Sequence, residues 1–235
     1  MSDWKPKRFW KSSAVVDAQG GYTVELDGRR VKTPAKAELV LPTKAMARAV
    51  AAEWDAQETE VDPTTMPFTR SANAAIDKVR HQHAEVADML ADYGDSDLLC
   101  YRANHPVELA KRQSQEWDPV LDWAASEFDA RLVSIVGVVH QPQPADVVEK
   151  LRRRVHGLDE FRLAAFHDLV SLSGSLILGF AAAQNWLKPD EIWRISRLDE
   201  IWQEEIWGED EEAQEMALKK QLAFLHAKQF YDLVV

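Results

Sequence analysis

The sequence predicts an α+β fold, with a small N-terminal antiparallel β/α domain followed by a larger all-helical C-terminal domain. Short alternating apolar runs separated by turn residues fill the first forty positions, a pattern typical of antiparallel strands. One amphipathic helix follows, and beyond residue 70 the apolar residues recur at helical spacing. A linker at 59–68 contains two prolines, so the domains are predicted at 1–68 and 69–235.

The strands are predicted from alternation and from one turn. Tyr22, Val24 and Leu26 alternate with polar residues and are followed by Asp27-Gly28, the residue pair favoured in a type I′ hairpin turn. The hairpin register then places Val31 opposite Val24. Leu39 and Leu41 alternate in the same way, so we expect a meander of three or four short strands.

The first helix is predicted to cover this small sheet, which is not stable on its own. Thr43 is suited to the N-cap position. Ala47, Val50, Ala51 and Trp54 form one apolar stripe at helical spacing, so Trp54 is expected to anchor the core.

The C-terminal region is expected to be helical apart from residues 131–139, whose β-branched sequence favours an extended segment. Pro189 stands where a first helical turn would begin. Gly and Pro positions and the apolar spacing predict helices over 71–93, 106–115, 119–128, 145–156, 160–183, 190–207 and 211–231.

Composition excludes several functional classes. The formal net charge is −11, with 46% apolar and 29% charged residues, which argues against disorder. No run reaches the roughly 20 apolar residues that span a bilayer, and the N-terminus lacks the apolar segment of a secretion signal. The predicted location is therefore the cytoplasm, without membrane insertion.

The charge is uneven along the chain. Residues 1–44 carry a net charge of +4, whereas the remaining 191 residues carry −15. Residues 198–218 contain nine acidic side chains and no Lys or Arg. Such a surface repels nucleic acid and anionic lipid and favours a basic or amphipathic protein partner.

No motif predicts a catalytic, cofactor-binding or metal site. The nine glycines are scattered and form no phosphate-binding loop. His81 and His83 diverge by about 200° around a helix, so they cannot share an ion. Cys100 lies in an apolar setting that favours an inert thiol, and Ser173-Gly174-Ser175 lacks the second glycine of a nucleophile elbow.

One segment, residues 191–208, combines tryptophans with acids. In a continuous helix, Trp193, Glu200 and Trp207 are seven residues apart and place a carboxylate between two indoles, while Asp199 shares an isoleucine-rich stripe. Carboxylates among tryptophans lose solvation unless they are paired or presented to a partner. This pattern predicts a binding edge, with Trp as the anchor and acid as the orienting charge.

An ordinary amphipathic helix is the alternative interpretation. Its acids would point into solvent or pair with Arg194 or Arg197 at helical spacing.

Seven segments, in order over almost the whole chain, carry a family resemblance. They are RFWK (8–11), LDGRRVKTP (26–34), AAEWDAQ (51–57), MPFTRSANAAID (66–77), YGDSDLLCYRA (93–103), WDPVLDW (117–123) and SRLDEIWQEEIWG (196–208). The chain resembles the assembly chaperones, found in mitochondria and related bacteria, that handle the alpha subunit of the catalytic head of F-type ATP synthase.

The resemblance implies a non-enzymatic chaperone that binds the free alpha subunit and shields a surface later covered by beta. It implies no cofactor, the predicted two-part fold, and a bacterial cytoplasmic protein with relatives in the mitochondrial matrix. Acidic positions of the SRLDE region are functionally sensitive in the family, which corresponds to Asp199 and Glu200 here. Gln203 and Trp207 lie in the same motif.

With Trp193 added from the aromatic pattern, the predicted partner-binding set is Asp199, Glu200, Gln203, Trp207 and Trp193. Trp54 and Gln57 of the AAEWDAQ segment are weaker candidates. We expect a monomer. The alternatives are a stable accessory subunit and an uncharacterised enzyme with a helical carboxylate site.

Overall fold

A three-stranded antiparallel sheet begins the fold in the computed structural model, which describes residues 7–234. The strands are β1 (Ser13–Ala18), β2 (Gly21–Leu26) and β3 (Arg29–Arg30), in that spatial order. Asp27 and Gly28 both have positive φ, at 49° and 79°, as a type I′ turn requires. The Val31 N–H donates to the Val24 carbonyl at 2.9 Å, so the predicted hairpin and its register are confirmed.

Helix α1 (Lys44–Asp55) packs on this sheet. The Thr43 hydroxyl accepts a hydrogen bond from the Met46 N–H at 3.1 Å, which confirms the predicted N-cap. Ala47 and Val50 are fully buried in the core with Val24 from the sheet. The predicted strand around Leu39 and Leu41 instead forms only single-residue bridges in the described chain, one of them between Tyr22 and Leu41.

Helices account for most of the remaining chain. They are α2 (Pro67–Asp77), α3 (His83–Ala91), α4 (Val107–Phe128), α5 (Ala145–His156), α6 (Glu160–Ser173), α7 (Leu176–Ala183), α8 (Pro189–Ser196), α9 (Leu198–Trp207) and α10 (Glu211–Asp232). The short strands β4 (Tyr101–Arg102) and β5 (Ile135–Val136) pair in parallel, so the extended segment predicted at 131–139 contains a paired strand. The predicted α+β class is confirmed.

The predicted helix bounds differ from the structure at four places before residue 190. Helix α2 begins at Pro67, inside the predicted linker, rather than at 71. The helix predicted over 71–93 is interrupted at Lys78 and continues as a short 3-10 turn and α3. The helix predicted over 160–183 ends at Ser173, because Gly174 takes a φ of +71° and Ser175 then caps α7 through its hydroxyl. The break predicted before Pro119 does not occur.

Helix α4 continues through Pro119. A proline inside a helix removes one backbone hydrogen bond. On either side of it, Trp117, Val120, Leu121 and Ala124 are buried, and we attribute the continuity of the helix to this packing, which offsets the lost bond.

The chain divides into two compact units. The first comprises residues up to 83 together with 159–165 and 229 onward, and the second comprises 84–158 and 166–228. The first unit has a core that includes Trp10, Leu39 and Phe230. The second contains Trp117 and Phe166, both fully buried. The domain boundary after residue 68 stays a prediction, since packing units need not be independently folding domains.

Two buried carboxylates begin helices in these units. Glu53 accepts bonds from the Phe68 and Thr69 N–H groups at 2.6 and 2.7 Å, in the first turn of α2. Asp97 accepts from the Ile177 N–H at 3.0 Å, in the first turn of α7, and from the Leu99 N–H at 3.0 Å. Burial raises the pKa of Glu53 and raises that of Asp97 to about 6. Both are structural caps.

Candidate partner-binding site

The helix predicted over 190–207 is two helices, α8 and α9, which meet at Arg197 with φ −103° and ψ 16°. Two side chains donate hydrogen bonds to backbone carbonyls that would accept from main-chain N–H groups in a continuous helix. The Ser196 hydroxyl donates to the Trp193 carbonyl at 2.7 Å, and the Trp117 indole N–H donates to the Ile195 carbonyl at 3.1 Å. The Arg197 N–H bonds instead to the Arg194 carbonyl at 3.2 Å. Competition of this kind from side chains is a known cause of helix termination.

The break separates the two tryptophans that the spacing had aligned. Trp193 is buried against Phe224, with ring centroids 5.7 Å apart, whereas Trp207 is 76% exposed. The continuous stripe predicted through Trp193, Glu200 and Trp207 is therefore wrong. Pro189 does occupy the first turn of α8, as predicted.

A groove of about 400 Å³ in the second unit nevertheless brings four of the five predicted residues together. Trp193, Asp199, Glu200 and Gln203 line it, and Trp207 is not among the lining residues. The end of α6 with Gly174, and the α8–α9 junction at 196–197, form further parts of its wall. The remaining lining side chains come from three other segments: Leu98, Trp117 and Lys220.

Asp199 is held in place within this groove. One carboxylate oxygen, Oδ1, accepts a hydrogen bond from Gln113 Nε2 at 2.7 Å. Gln113 is buried, and its Oε1 accepts from the Ala103 N–H at 2.7 Å. The amide thus connects α4, the chain after β4 and the first turn of α9, and leaves the carboxylate half-exposed.

Glu200 pairs with Arg197, its neighbour three residues earlier, at 2.8 Å. The glutamate side chain is 46% exposed and the arginine 19%. A pair this exposed contributes at most about 1 kcal/mol. The alternative interpretation of the sequence, that an acid of this segment pairs with Arg197, is confirmed for Glu200.

Two further ion pairs connect α4 to these helices. Arg194 donates to both carboxylate oxygens of Glu116, at 2.9 and 2.6 Å, and hydrogen bonding to this arginine lowers the pKa of Glu116. Arg112 pairs with Glu205 at 2.6 Å, which lowers the pKa of Glu205. Sequence reasoning missed both pairs and Gln113, because the partners are 78 to 93 residues apart.

The end of α9 and the first half of α10 form a surface that we call the acidic end, residues 204–222. Seven acidic side chains lie between 204 and 215, and nearly all are exposed. Apolar side chains are exposed among them, at 51–76% of their area: Ile206, Trp207, Met216, Leu218 and Leu222. Exposed apolar groups surrounded by charge are typical of a protein-binding surface.

The other sequence candidates occupy structural positions. Gln57 is buried and bonds to the Glu53 carbonyl, the Thr65 hydroxyl and the Asp62 N–H at 3.1, 3.0 and 2.7 Å. Trp54 packs edge-on against Trp10 at 5.2 Å. Cys100 is buried, and burial raises its pKa. Ser173 is the last residue of α6, and Ser175 is the N-cap of α7, so the two serines do not lie inside one helix.

Among the described residues 7–234, no group of three or more His, Cys, Asp or Glu side chains is arranged so that it could hold a metal ion. None of the helices in that range combines the length and apolar character needed to cross a bilayer.

Known proteins are similar to this chain over most of its length. Atp12 from Paracoccus denitrificans is 46% identical and superposes with a TM-score of 0.96, over 99% of this chain and all of that one. The Atu1473 protein of Agrobacterium tumefaciens is 40% identical with a TM-score of 0.93, over 98% of this chain and 87% of its own. The mitochondrial protein atp12 of Schizosaccharomyces pombe is 27% identical, over 92% of this chain and 80% of its own.

The fold is therefore that of a known class of chaperones. The family model described as ATP12 chaperone protein matches residues 7–125. The chain belongs to the ATP12 chaperone family, which confirms the resemblance drawn from the seven sequence segments.

Proposed function

We propose that this chain is an assembly chaperone of F-type ATP synthase that binds the free alpha subunit transiently and prevents its aggregation before it pairs with beta. The observation that carries the proposal is the acidic end, where Trp207 is 76% exposed among acidic side chains. Family membership supports the chaperone role, and relatives are named as chaperones rather than enzymes.

The chemistry of the surface fits an assembly intermediate. A free subunit exposes apolar area that would otherwise aggregate, and Trp207 with its apolar neighbours can cover such area. The acids attract basic groups and speed the encounter without adding great affinity. A complex bound in this way can be displaced by the final neighbouring subunit.

The groove and the acidic end have different parts in this proposal. Asp199, Glu200 and Gln203 present polar groups to the client from a groove that Trp193 also lines. Trp193 supports the groove through its contact with Phe224, and Trp207 contacts the client directly. We propose a monomeric protein of the bacterial cytoplasm, with organellar relatives in the mitochondrial matrix.

Charge reversal in the groove tests the proposal. Asp199→Lys and Glu200→Lys would each be assayed for binding to purified alpha subunit and for folding by circular dichroism and thermal melting. The matched control is Glu127→Lys, an exposed acid on α4 whose replacement is tolerated near a helix C-terminus. We expect the two groove variants to fold and lose at least tenfold in affinity, with the control unchanged.

If both groove variants fold and bind like the parent, the proposed site is wrong. Co-purification with mature ATP synthase at fixed stoichiometry would instead indicate a stable subunit. An alpha subunit that aggregates to the same extent with and without this chain would overturn the chaperone function itself.

A further inference from the structure

A second concave site lies in the first unit, away from the residues used so far. It has a volume of about 380 Å³, within the range of about 300–1,000 Å³ typical of ligand pockets. Most of its wall is apolar and comes from α1, α2 and the chain around residue 61. Its lining includes Pro34, Trp54, Val61, Pro63, Met66 and Ala74.

Three polar atoms in the lining side chains of this pocket are buried and have no hydrogen-bond partner within the described chain. They are Trp54 Nε1, Asn73 Oδ1 and Asp77 Oδ1. Asn73 and Asp77 are four residues apart on α2 and so share one face of the helix. The other oxygen of Asp77, Oδ2, accepts from the Ala35 N–H at 3.0 Å, which holds the carboxylate in position.

Unpartnered buried polar atoms are costly, at about 1–3 kcal/mol each, and most native structures avoid them. Here three occur in side chains that line one pocket, and they comprise one donor and two acceptors. A ligand that matches them needs an apolar body, at least one N–H group and a carbonyl.

An extended peptide offers this combination. Its apolar side chain would fill the pocket, its main-chain N–H groups would donate to Asn73 and Asp77, and its carbonyl would accept from the Trp54 indole. A hydrocarbon would leave all three atoms unpaired. An anion could pair with Arg70 and Lys78, which also line the pocket. Without an N–H group, however, it would leave the acceptor oxygens of Asn73 and Asp77 unpaired.

We infer that this pocket is a second client-binding site, which takes an apolar residue of an extended peptide segment together with its flanking main-chain amides. The identity of the client as the alpha subunit rests on the proposed function. The binding of an apolar residue and its amides is argued from the pocket alone. The site would hold a client segment through the first unit, independently of the acidic end.

The chemistry is tested first with N-acetyl-phenylalaninamide on the full chain, by NMR of the Trp54 indole N–H signal, assigned with Trp54→Phe. N-acetylglycinamide is the matched probe without an apolar side chain. We expect a saturable shift with the phenylalanine amide and none with the glycine amide. No shift with the phenylalanine amide, or an equal shift with both probes, would overturn the inference.

The role in client binding is tested with Ala74→Trp, which fills the pocket from its wall. The control is Ala52→Trp, the same substitution at an exposed position of α1. We expect the first to weaken alpha-subunit binding at least tenfold and the second to leave it unchanged.

Asn73→Leu separates binding from a structural role. It removes an unpartnered polar atom at similar volume, so we expect a higher melting temperature together with weaker binding of both probe and client. A lower melting temperature with unchanged binding would overturn the inference.

The two proposals can fail separately. If Asp199→Lys loses the alpha subunit and Ala74→Trp does not, the pocket is not a client site and the proposed function stands. If the parent chain does not bind the alpha subunit at all, the proposed function fails. The titration with N-acetyl-phenylalaninamide then still tests whether the pocket binds an apolar residue with its main-chain amides.

Discussion

Two buried carboxylates can be compared with the nine acidic side chains of residues 198–218. Glu53 and Asp97 are each surrounded by backbone N–H donors at the start of a helix. The acids of 198–218 are mostly exposed and have no Lys or Arg within their own segment. Asp199 lies between these cases, half-exposed yet held by one buried amide.

The comparison shows that the surroundings, rather than the residue type, decide what a carboxylate does. Where backbone donors converge, it fixes a helix and is lost to recognition. Where they do not, it remains available to a partner. The predictions below test this difference, from the largest expected change in the free energy of unfolding to the smallest.

Glu53→Ala is expected to lower the free energy of unfolding by about 4 kcal/mol, because two backbone N–H groups and the Thr69 hydroxyl lose their acceptor. Urea denaturation measures the change. Glu53→Gln keeps one acceptor oxygen and should lose less than half as much. A loss below about 1 kcal/mol for the alanine variant would contradict the cap assignment.

Asp97 should make stability depend on pH. Its pKa is about 6 in the folded protein against a usual value of 3.8, so the folded state binds the proton more tightly. The resulting stabilisation, about 3 kcal/mol at 1.36 kcal/mol per pH unit, is complete below pH 4 and is lost as the pH rises through 6.

Asp97→Asn removes this titration. Urea denaturation of parent and variant between pH 4 and pH 7 should show the parent losing stability relative to the variant as the pH rises. If the free energies of unfolding of parent and variant change with pH in parallel, Asp97 has the same pKa in the folded and unfolded states.

Gln113→Ala is expected to lower the free energy of unfolding by about 2 kcal/mol, because the partly buried Ala103 N–H and the Asp199 carboxylate both lose their partner. Gln115→Ala, at an exposed position of the same helix, should change it by less than about 0.5 kcal/mol. Equal effects of the two substitutions would rule out the bridging role of Gln113.

Trp207→Ala should change the free energy of unfolding by less than about 0.5 kcal/mol, as expected for an exposed side chain. Under the proposed function it should nevertheless reduce alpha-subunit affinity at least tenfold in a titration. Val138→Ala, 90% exposed elsewhere in the chain, is the control and should leave affinity unchanged. A Trp207 variant that binds like the parent would show that the indole does not contact the client.

Features governed by nearby residues could be predicted from the sequence. The hairpin at Asp27-Gly28, the Thr43 cap and the proline at the start of α8 each depend on interactions over a few residues. The helix break at Gly174 also depends on adjacent residues, Gly174 and Ser175, although the prediction ran through it. The break at Arg197 could not be predicted locally. The break at Arg197 depends on a hydrogen bond from Trp117, which is 78 residues from Ile195 in the sequence.

The candidate site could be predicted only in part, because some of its features depend on contacts between residues far apart in the sequence. Residue type and acidity pointed to Asp199, Glu200 and Trp193, and the family resemblance added Gln203. All four line one groove. The sequence could not distinguish the buried Trp193 from the exposed Trp207, because that difference arises from the change of direction between α8 and α9. Lys220 and Gln113 carry no local signal that would have identified them.

The break at Arg197 also divides the segment by how freely its sequence can vary. Residues of α8 before the break include Ile192, Trp193 and Ile195, all buried, so most replacements there disturb the interior. Residues at the end of α9 face solvent and can be exchanged with little effect on the fold. Under the proposed function, mutation or design at the end of α9 can therefore change client preference while the core formed by α8 stays the same.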